Sequence, residues 1–369
     1  MSDMSRPGET PSRKLRAPFK AREVSYRAAQ TLRTAWYAGQ LNLLRRRSGG
    51  FSRPGEPEFQ PTSPAGDEAD VRKAFMQVFE EDRKNVEAGL YPAPENVRPR
   101  DLLRTMESAF LLFKDASRVN KRRLKRDGVE ARELADGDRY PAYYRQNFHY
   151  QSGGWFTEES ARLYDTQVEA LFAGSADAMR RAALADMARE IRRSERRDQA
   201  VLDVACGTGR FLKQVMAAYP RLQASGLDLS PSYCRHSRQE LSAWPRVDII
   251  EGAAENMPVD DASQDIVSCI FLFHELPPRV RKQVAAEIHR VLRPGGLFVF
   301  ADSIQLGDNP ALDRRLEYFP EGFHEPFYKS YGETDLARLF GEAGFVCEGE
   351  RNVFLTKVMS LRKPSERKS

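Results

Sequence analysis

The sequence has few cysteines, and none of them is placed as a metal ligand would be. The four cysteines, Cys206, Cys234, Cys269 and Cys347, are widely separated and form no C-x-x-C pair. Because no Cys or His cluster has zinc-ligand spacing, we expect neither a bound metal nor a disulfide framework. The cysteine pattern therefore predicts a protein of a reducing compartment that works without metal.

Long apolar segments are also missing. No stretch of about 18 uncharged apolar residues occurs. The N-terminus lacks the short apolar stretch followed by small residues that marks a signal peptide. We therefore expect a cytoplasmic protein that is either soluble or bound peripherally to a membrane.

The positive charge is concentrated near the N-terminus. Residues 1–50 contain eleven Lys and Arg against three acids, a net charge of +8, which leaves −3 for the rest of a chain whose total is +5. A body with this balance is not typical of a dedicated nucleic-acid-binding domain. Residues 20–47 interleave apolar residues with arginines and are predicted to form an amphipathic helix. Such a helix contacts anionic lipid, packs on the body, or forms part of an organelle-targeting segment.

Composition divides the first half of the chain into two regions. The first 70 residues form a basic arm, in which the Gly, Pro, Ser and charge content of residues 1–18 and 48–70 predicts segments that are disordered or loosely attached. Residues 71–198 show helical apolar spacing and are predicted to form an accessory or lid region. Within it, the aromatic segment 140–155 either folds over a ligand or packs the accessory helices onto the core.

Residues 199–361 have a different pattern, in which short apolar runs alternate with helical stretches. This alternation predicts a parallel sheet covered on both faces. Glu348 to Asn352 is too short for a crossover helix, so the last two strands must be antiparallel. The predicted fold class is α/β, with a Rossmann-like, seven-stranded, mostly parallel sheet, one antiparallel strand in a C-terminal hairpin, and a disordered tail at 362–369. The predicted strands are Ala200–Val204, Gln223–Leu227, Val247–Ile250, Ile266–Phe271, Leu297–Ala301, Phe345–Cys347 and Val353–Met359.

The loop after the first strand has the features of a nucleotide-like ligand site. Asp203 closes the strand, and Ala205, Gly207 and Gly209 follow at alternate positions before the next helix. Glycine lets the backbone approach a ligand closely, and the helix N-terminus supplies free N–H groups and a positive dipole end. Asp228 ends the second strand, where a carboxylate can accept hydrogen bonds from both hydroxyls of a ribose.

A nicotinamide or flavin dinucleotide would use a similar loop. The distinguishing position is the third glycine of G-x-G-x-x-G counted from Gly207, and here that position is Leu212. No separate feature for a pyrophosphate is present. The sequence therefore disfavours a dinucleotide.

Five motifs, in the same order and spacing, resemble those of class I S-adenosylmethionine-dependent methyltransferases. They are Val201 to Gly209, Gly226 to Ser230, Gly252 to Pro258, Phe273 to Glu275 and Val291 to Gly296. The resemblance covers about residues 199–360 and is greatest to small-molecule enzymes akin to the ubiquinone and menaquinone C-methyltransferases. It implies a Rossmann-like fold and S-adenosylmethionine as the methyl donor.

The resemblance also implies which residues bind the donor. Asp203 and the following loop would hold its methionine portion, Asp228 its ribose, and Ala253 and Ala254 its adenine. Many relatives have Asp or Asn in place of Ala253, so backbone groups or water must serve there. The predicted donor-binding residues are Asp203, Ala205, Cys206, Gly207, Thr208, Gly209, Asp228, Leu229, Ala253, Ala254 and Phe271.

Methyl transfer needs a base only when the acceptor is weakly acidic, because the protein's main contributions are alignment and exclusion of water. His274 follows the fourth strand, where ligands gather in open α/β sheets, and is predicted either to contact the acceptor or to be structural. His324 and Glu325 are further base candidates. They lie in the insertion 303–332, whose aromatic and proline content predicts either a pocket for an apolar or aromatic acceptor or a lid without chemistry.

The expected function is therefore C- or O-methylation of a small, apolar or aromatic acceptor. RNA methylation is an alternative because the arm is basic, although Phe273 to Pro278 lacks the Asn/Asp-Pro-Pro-aromatic motif of base amino-group methylation. A scaffold protein that binds the donor without transferring its methyl group is a second alternative, since a donor loop indicates binding and not turnover.

Overall fold

The computed structural model describes residues 19–48, 57–94, 99–135, 137–193 and 199–365. The disorder predicted for residues 1–18, and for parts of 48–70 and 362–369, falls outside these ranges at 1–18, 49–56 and 366–369. Within the described ranges, residues 57–67 lie against a later helix, because Thr62 and Ser63 donate hydrogen bonds to the Glu317 carboxylate. This part of the segment, predicted to be disordered or loosely attached, contacts the body at Glu317.

Helices dominate the first half, as predicted. They are α1 (Phe19–Ser48), α2 (Glu68–Glu87), α3 (Pro99–Lys125), α4 (Ala131–Leu134), α5 (Glu158–Leu171) and α6 (Ala176–Arg193). Side-chain caps fix several N-termini, since Asp67 accepts from the Ala69 N–H and Thr157 from the Ser160 N–H. None of the helices in the described ranges is long and apolar enough to cross a membrane.

The second half forms one seven-stranded sheet, which confirms the predicted fold class. Its order is β3-β2-β1-β4-β5-β7-β6, with β7 antiparallel to both neighbours and the other pairs parallel. The order reverses between β1 and β4, and ligands of open α/β sheets bind at such a point. The strands are β1 (Ala200–Val204), β2 (Gln223–Asp228), β3 (Val247–Glu251), β4 (Gln264–Ile270), β5 (Leu292–Ser303), β6 (Val346–Val353) and β7 (Thr356–Arg362).

The C-terminal hairpin exists, but its turn is not where the sequence suggested. Residues 348–352, predicted to be the connection, belong to β6, and the turn is formed by Phe354 and Leu355. Phe354 has φ 55°, and a positive φ at the first residue is typical of hairpin turns of two residues. The prediction failed because β6 is mostly exposed and polar, so only its two ends carry an apolar signal.

The remaining helices cover the two faces of the sheet and the carboxyl ends of its parallel strands. They are α7 (Arg210–Ala218), α8 (Pro231–Glu240), α9 (Pro278–Val291), α10 (Pro310–Gly322), α11 (Tyr328–Gly332) and α12 (Leu336–Glu342). One face of the sheet packs against α6 and α7, and the other packs against α9 and α12. Helix α6, predicted as part of the accessory region, is therefore part of the sheet's own core. Its small residues, such as Ala183, Ala185 and Ala188, are fully buried.

Candidate functional site

The loop between β1 and α7, residues Asp203 to Gly209, is called the donor loop below. Ala205, Gly207 and Gly209 have φ values of 57°, 55° and 75°, so alternate residues adopt the left-handed conformation. A Cβ at Gly207 would meet no atom within 4 Å, whereas one at Gly209 would contact Ser237 and Leu241 of the α8 region. Gly207 therefore leaves open space beside the loop, and Gly209 allows close packing.

Two carboxylates flank the donor loop. Asp228 accepts hydrogen bonds from the Gly207 N–H at 2.9 Å and the Ser230 N–H at 2.8 Å, which ties the ends of β1 and β2 together. Asp203 accepts from the Ser268 hydroxyl at 2.7 Å. Burial raises the pKa of Asp203 to about 7 and that of Asp228 to about 6, because it disfavours the ionised carboxylates. A ligand group that donates hydrogen bonds or carries positive charge would compensate for this burial.

A cavity opens above the carboxyl ends of β1, β2 and β4. Of the eleven predicted donor-binding residues, nine line it, and Gly209 and Ala253 do not. Gly209 instead begins α7, and Ala253 pairs with Asn256 in a short bridge, which leaves Ala254 to face the cavity. The nine are Asp203, Ala205, Cys206, Gly207, Thr208, Asp228, Leu229, Ala254 and Phe271.

Five aromatic side chains also line the cavity and are called the aromatic wall below. Trp155 packs edge-to-face on Tyr164 with ring centroids 5.4 Å apart, and it stacks on Phe148 at 6.1 Å. The segment 140–155 thus lines the cavity as well as packing against the core. Tyr164, on α5, was not predicted, because a lone tyrosine on a helix gives no signal in the sequence. The aromatic wall consists of Tyr143, Tyr144, Phe148, Trp155 and Tyr164.

A group of paired arginines and acids, which was not predicted from the sequence, lies next to the donor loop. Arg210 donates to both oxygens of Asp177, at 3.0 and 2.6 Å, and Arg180 donates to the same carboxylate at 3.3 Å. Arg33 of α1 pairs with Glu169 at 2.7 Å. Arg180 and Arg210 also line the cavity. Because α1, α5 and α6 all contribute, the accessory helices hold the donor loop in place.

The three predicted catalytic residues do not line the cavity. His274 is buried, with Nδ1 2.5 Å from Asp302 Oδ1, and this carboxylate raises the pKa of His274 to about 9 against the lowering effect of burial. His324 lies 2.9 Å from Gln146 Oε1, and burial lowers its pKa. The Glu325 side chain is fully buried, with Oε1 2.8 Å from His149 Nδ1.

Two other ionisable residues lie at this side of the cavity, one lining it and one in contact with the first. Glu275, the residue after His274, lines the cavity. His149, from the aromatic segment, lies between Glu275 and Glu325. Neither residue had a predicted role, because nothing in the sequence shows that segments 126 residues apart meet. Among the described residues, no group of three or more His, Cys, Asp or Glu side chains is arranged to hold a metal ion.

Comparison with known proteins shows what the chain is similar to. A family model described as a methyltransferase domain matches residues 201–296. A demethylmenaquinone methyltransferase of Geobacillus kaustophilus is 31% identical over 179 residues, 42% of this chain and 74% of that protein. One of Chlorobaculum tepidum is 40% identical over 103 residues, 27% of this chain and 39% of that protein. The chain thus spans less than half the length of the second relative.

Among solved structures, an S-adenosylmethionine-dependent methyltransferase of Methanosarcina mazei is similar at 18% identity with a TM-score of 0.39. The similarity covers 48% of this chain and 98% of that one. The aromatic wall and residues 303–332 lie outside the segment that the family model matches.

Proposed function

Because the chain belongs to the class I S-adenosylmethionine-dependent methyltransferases, we propose that it transfers a methyl group from this donor to a small acceptor with an apolar ring, by C- or O-methylation. The observation that carries the proposal is that the aromatic wall and the donor loop face the same cavity. An apolar enclosure excludes water from the reacting groups and favours a ring-containing acceptor.

The residues present fit S-adenosylmethionine. Asp228 faces the cavity with an ionisable carboxylate beside the open space at Gly207, which suits a ribose. Asp203 and Arg180 line the same cavity, and they would pair with the ammonium and carboxylate of the methionine portion, respectively. Ala254, Leu229 and the backbone nearby would take the adenine. When bound, the donor supplies an electrophilic methyl group on a sulfonium.

The acceptor class rests on the aromatic wall and on the relatives. Two similar proteins are named demethylmenaquinone methyltransferases, so they act on a ring compound with an apolar chain. The rings of Phe148, Trp155 and Tyr164 offer an apolar surface for an acceptor of this general class.

The proposal can be tested by comparing metabolites and lipids of cells with and without this protein, after supplying a donor with an isotopically labelled methyl group. We expect one labelled methyl group on an apolar ring compound, and we expect it to be absent from cells that carry Asp228→Asn. A labelled RNA would favour the alternative of nucleic-acid methylation. If no labelled product is found while the purified chain still binds S-adenosylhomocysteine, the protein is a scaffold and the proposal is wrong.

We also propose that α1 brings the protein to anionic lipid, from which an apolar acceptor could enter. Leu32, Trp36 and Leu43 are spaced by four and seven residues, so they share one face of the helix. They are 72%, 41% and 42% exposed, whereas Tyr26 and Tyr37 on the other face are buried. The net charge of +8 over residues 1–50 complements a negatively charged membrane surface.

Co-sedimentation with vesicles tests this contact. The full chain should bind vesicles that contain phosphatidylserine, bind more weakly to pure phosphatidylcholine, and lose binding when Leu32→Glu and Trp36→Glu are combined. Leu306→Glu, at another exposed leucine, is the matched control and should bind as the unchanged protein does. Equal binding by the double variant would rule out this face of α1.

A further inference from the structure

Three ionisable side chains from distant parts of the chain meet at one side of the cavity. Glu275 belongs to the turn Phe273–Glu275 after β4, His149 to the turn Phe148–Tyr150, and Glu325 to the segment between α10 and α11. We call these three residues the acid–imidazole cluster. Of the three, Glu275 lines the cavity, as does the next residue, Leu276.

The imidazole of His149 bridges the two carboxylates. Its Nδ1 lies 2.8 Å from Glu325 Oε1, and its Nε2 lies 3.5 Å from Glu275 Oε1. The Glu325 side chain is fully buried, and apart from this ion pair its two carboxylate oxygens have no hydrogen-bond partner among the described residues. A carboxylate removed from water in this way depends on the imidazolium for compensation. Glu325 therefore fixes both the charge and the orientation of His149.

The backbone holds His149 in an unfavourable conformation. His149 and Tyr150 have φ values of 57° and 55°, a region that costs residues other than glycine about 1 kcal/mol or more. The conformation is maintained by the His149 N–H, which donates to the His324 carbonyl at 3.3 Å, and by Arg122, which donates to the Tyr150 carbonyl at 3.0 Å. Two consecutive strained residues beside a cavity indicate that the placement of this imidazole matters for function.

From this geometry we infer that Glu275, positioned by His149 and Glu325, accepts the proton of the methyl acceptor, and that the site takes acceptors with a weakly acidic hydroxyl group on an apolar ring. The inference rests on the proposed function. Glu275 is the only member of the cluster that reaches the cavity, and it lies among the apolar side chains of Leu272 and Leu276. An apolar surround with one carboxylate suits a ring that carries one O–H group.

The chemistry balances without any further reactant. The acceptor's O–H proton moves to a Glu275 carboxylate oxygen as the acceptor oxygen, or the ring carbon conjugated with it, forms a bond to the methyl carbon. The methyl–sulfur bond breaks, and its electron pair stays on sulfur. For C-methylation, the proton on the substituted ring carbon then passes to water, which restores the aromatic ring, and Glu275 returns its proton to the ring oxygen. For O-methylation, Glu275 releases its proton to water after the product has left.

Several charged and titratable groups face Glu275 and set its proton affinity. They are His149, His274 (Nε2 4.0 Å from Glu275 Oε1), Glu325, Asp228, Tyr144 and Tyr164. Burial raises the pKa of Glu275, while His149 and His274 oppose that rise. Burial alone would lower the pKa of His149, but Glu325 and Glu275 raise it to about 10, so the imidazole is charged near neutral pH.

These charges predict opposite effects for two variants. His149→Gln removes a positive charge, so the pKa of Glu275 should rise. The acidic limb of the pH profile of the methyl-transfer rate should therefore move to higher pH. Glu325→Gln removes a negative charge, so that limb should move to lower pH for as long as His149 stays protonated. A purely structural role would lower the amplitude of the profile without moving its limbs in opposite directions.

Binding of two probes to the full chain saturated with S-adenosylhomocysteine tests the site directly. We expect 1-naphthol to bind about tenfold or more tightly than 1-methylnaphthalene, because only the naphthol can donate to Glu275. The preference should fall to about threefold or less in Glu275→Gln and persist in Glu333→Gln, at an exposed position. Failure of both probes to bind, or a preference unchanged in Glu275→Gln, would overturn the inference.

A second measurement concerns His149 alone. In the histidine NMR spectrum of the isotopically labelled full chain, with His149→Gln used for assignment, this imidazole should remain protonated above pH 8. In Glu325→Gln it should titrate closer to the ordinary histidine range. If His149 of the unchanged protein titrates near pH 6.5, the positioning role is wrong. This outcome does not depend on whether Glu325→Gln folds. Binding of S-adenosylhomocysteine and labelling of a product whose unmethylated precursor carries no hydroxyl group would leave the proposed function intact while removing this inference.

Discussion

The two sides of the cavity are built in different ways. The donor loop and Asp228 come from consecutive strands of one sheet, and all of them lie within the residues that the methyltransferase domain model matches. The aromatic wall and two members of the acid–imidazole cluster come from segments before and after that match. Backbone geometry makes the donor side, whereas packing of distant side chains makes the acceptor side. The identity of the donor can therefore be inferred from local sequence, whereas the identity of the acceptor depends on tertiary contacts.

The largest expected effect is on the donor side. In Asp228→Asn, an amide replaces the carboxylate that accepts from the Gly207 and Ser230 N–H groups, and it cannot accept both ribose hydroxyls. We expect calorimetry to show a loss of affinity for S-adenosylhomocysteine of about 100-fold or more, since hydrogen bonds to charged groups contribute about 1.5–3 kcal/mol each. Asp260→Asn, at an exposed residue, should bind normally. Equal affinity in both variants would contradict the donor assignment.

A smaller effect should separate the aromatic wall from the donor loop. Trp155→Leu removes the ring that packs on Tyr164 and Phe148. Labelled methyl incorporation in cells that carry this variant should fall at least about tenfold, because the acceptor loses apolar surface against which to bury its ring. Burial of a large apolar group contributes about 1.5–3 kcal/mol of free energy. Affinity for S-adenosylhomocysteine should change by about threefold or less. A large loss of donor affinity would show that the two sides do not act separately.

The pH dependence of donor binding should reflect the donor side alone. Burial raises the pKa of Asp228 to about 6, so the carboxylate is protonated below that pH and can then no longer accept from both ribose hydroxyls. Asp203, with a pKa of about 7, loses its charge in the same range, so affinity for S-adenosylhomocysteine should be nearly constant above about pH 8 and should fall at least about tenfold on going to about pH 5. Calorimetry across this range measures the effect. A constant affinity would mean that the ionised form of Asp228 is not required.

The smallest effect concerns strain in the donor loop. Ala205 has φ 57°, a conformation that glycine adopts without steric cost. Ala205→Gly should therefore stabilise the protein by about 0.5–1 kcal/mol in urea unfolding. Ala217→Gly, at an exposed position of helix α7, serves as a control of opposite sign and should destabilise the protein by about 1 kcal/mol. If Ala205→Gly destabilises to the same extent, the loop is not strained at this position.

The same contrast explains what the sequence could and could not reveal. The alternation of strands and helices, the donor loop and Asp228 follow from periodicity and from residues that are close in sequence, and nine predicted donor-binding residues line the cavity. The hairpin turn was misplaced because β6 has almost no apolar face. His274 was chosen over its neighbour Glu275 because an imidazole titrates near neutral pH, but the partner of His274 is Asp302, 28 residues further along the chain. Side-chain direction within a short turn cannot be deduced from residue type.

The most direct measurement is a crystal structure of the protein with S-adenosylhomocysteine bound. Our account predicts the ribose hydroxyls within hydrogen-bonding distance of the Asp228 carboxylate, and the sulfur directed across the cavity toward Trp155 and Glu275. A nucleoside bound elsewhere, with Asp228 contacting only the Gly207 and Ser230 N–H groups, would contradict it.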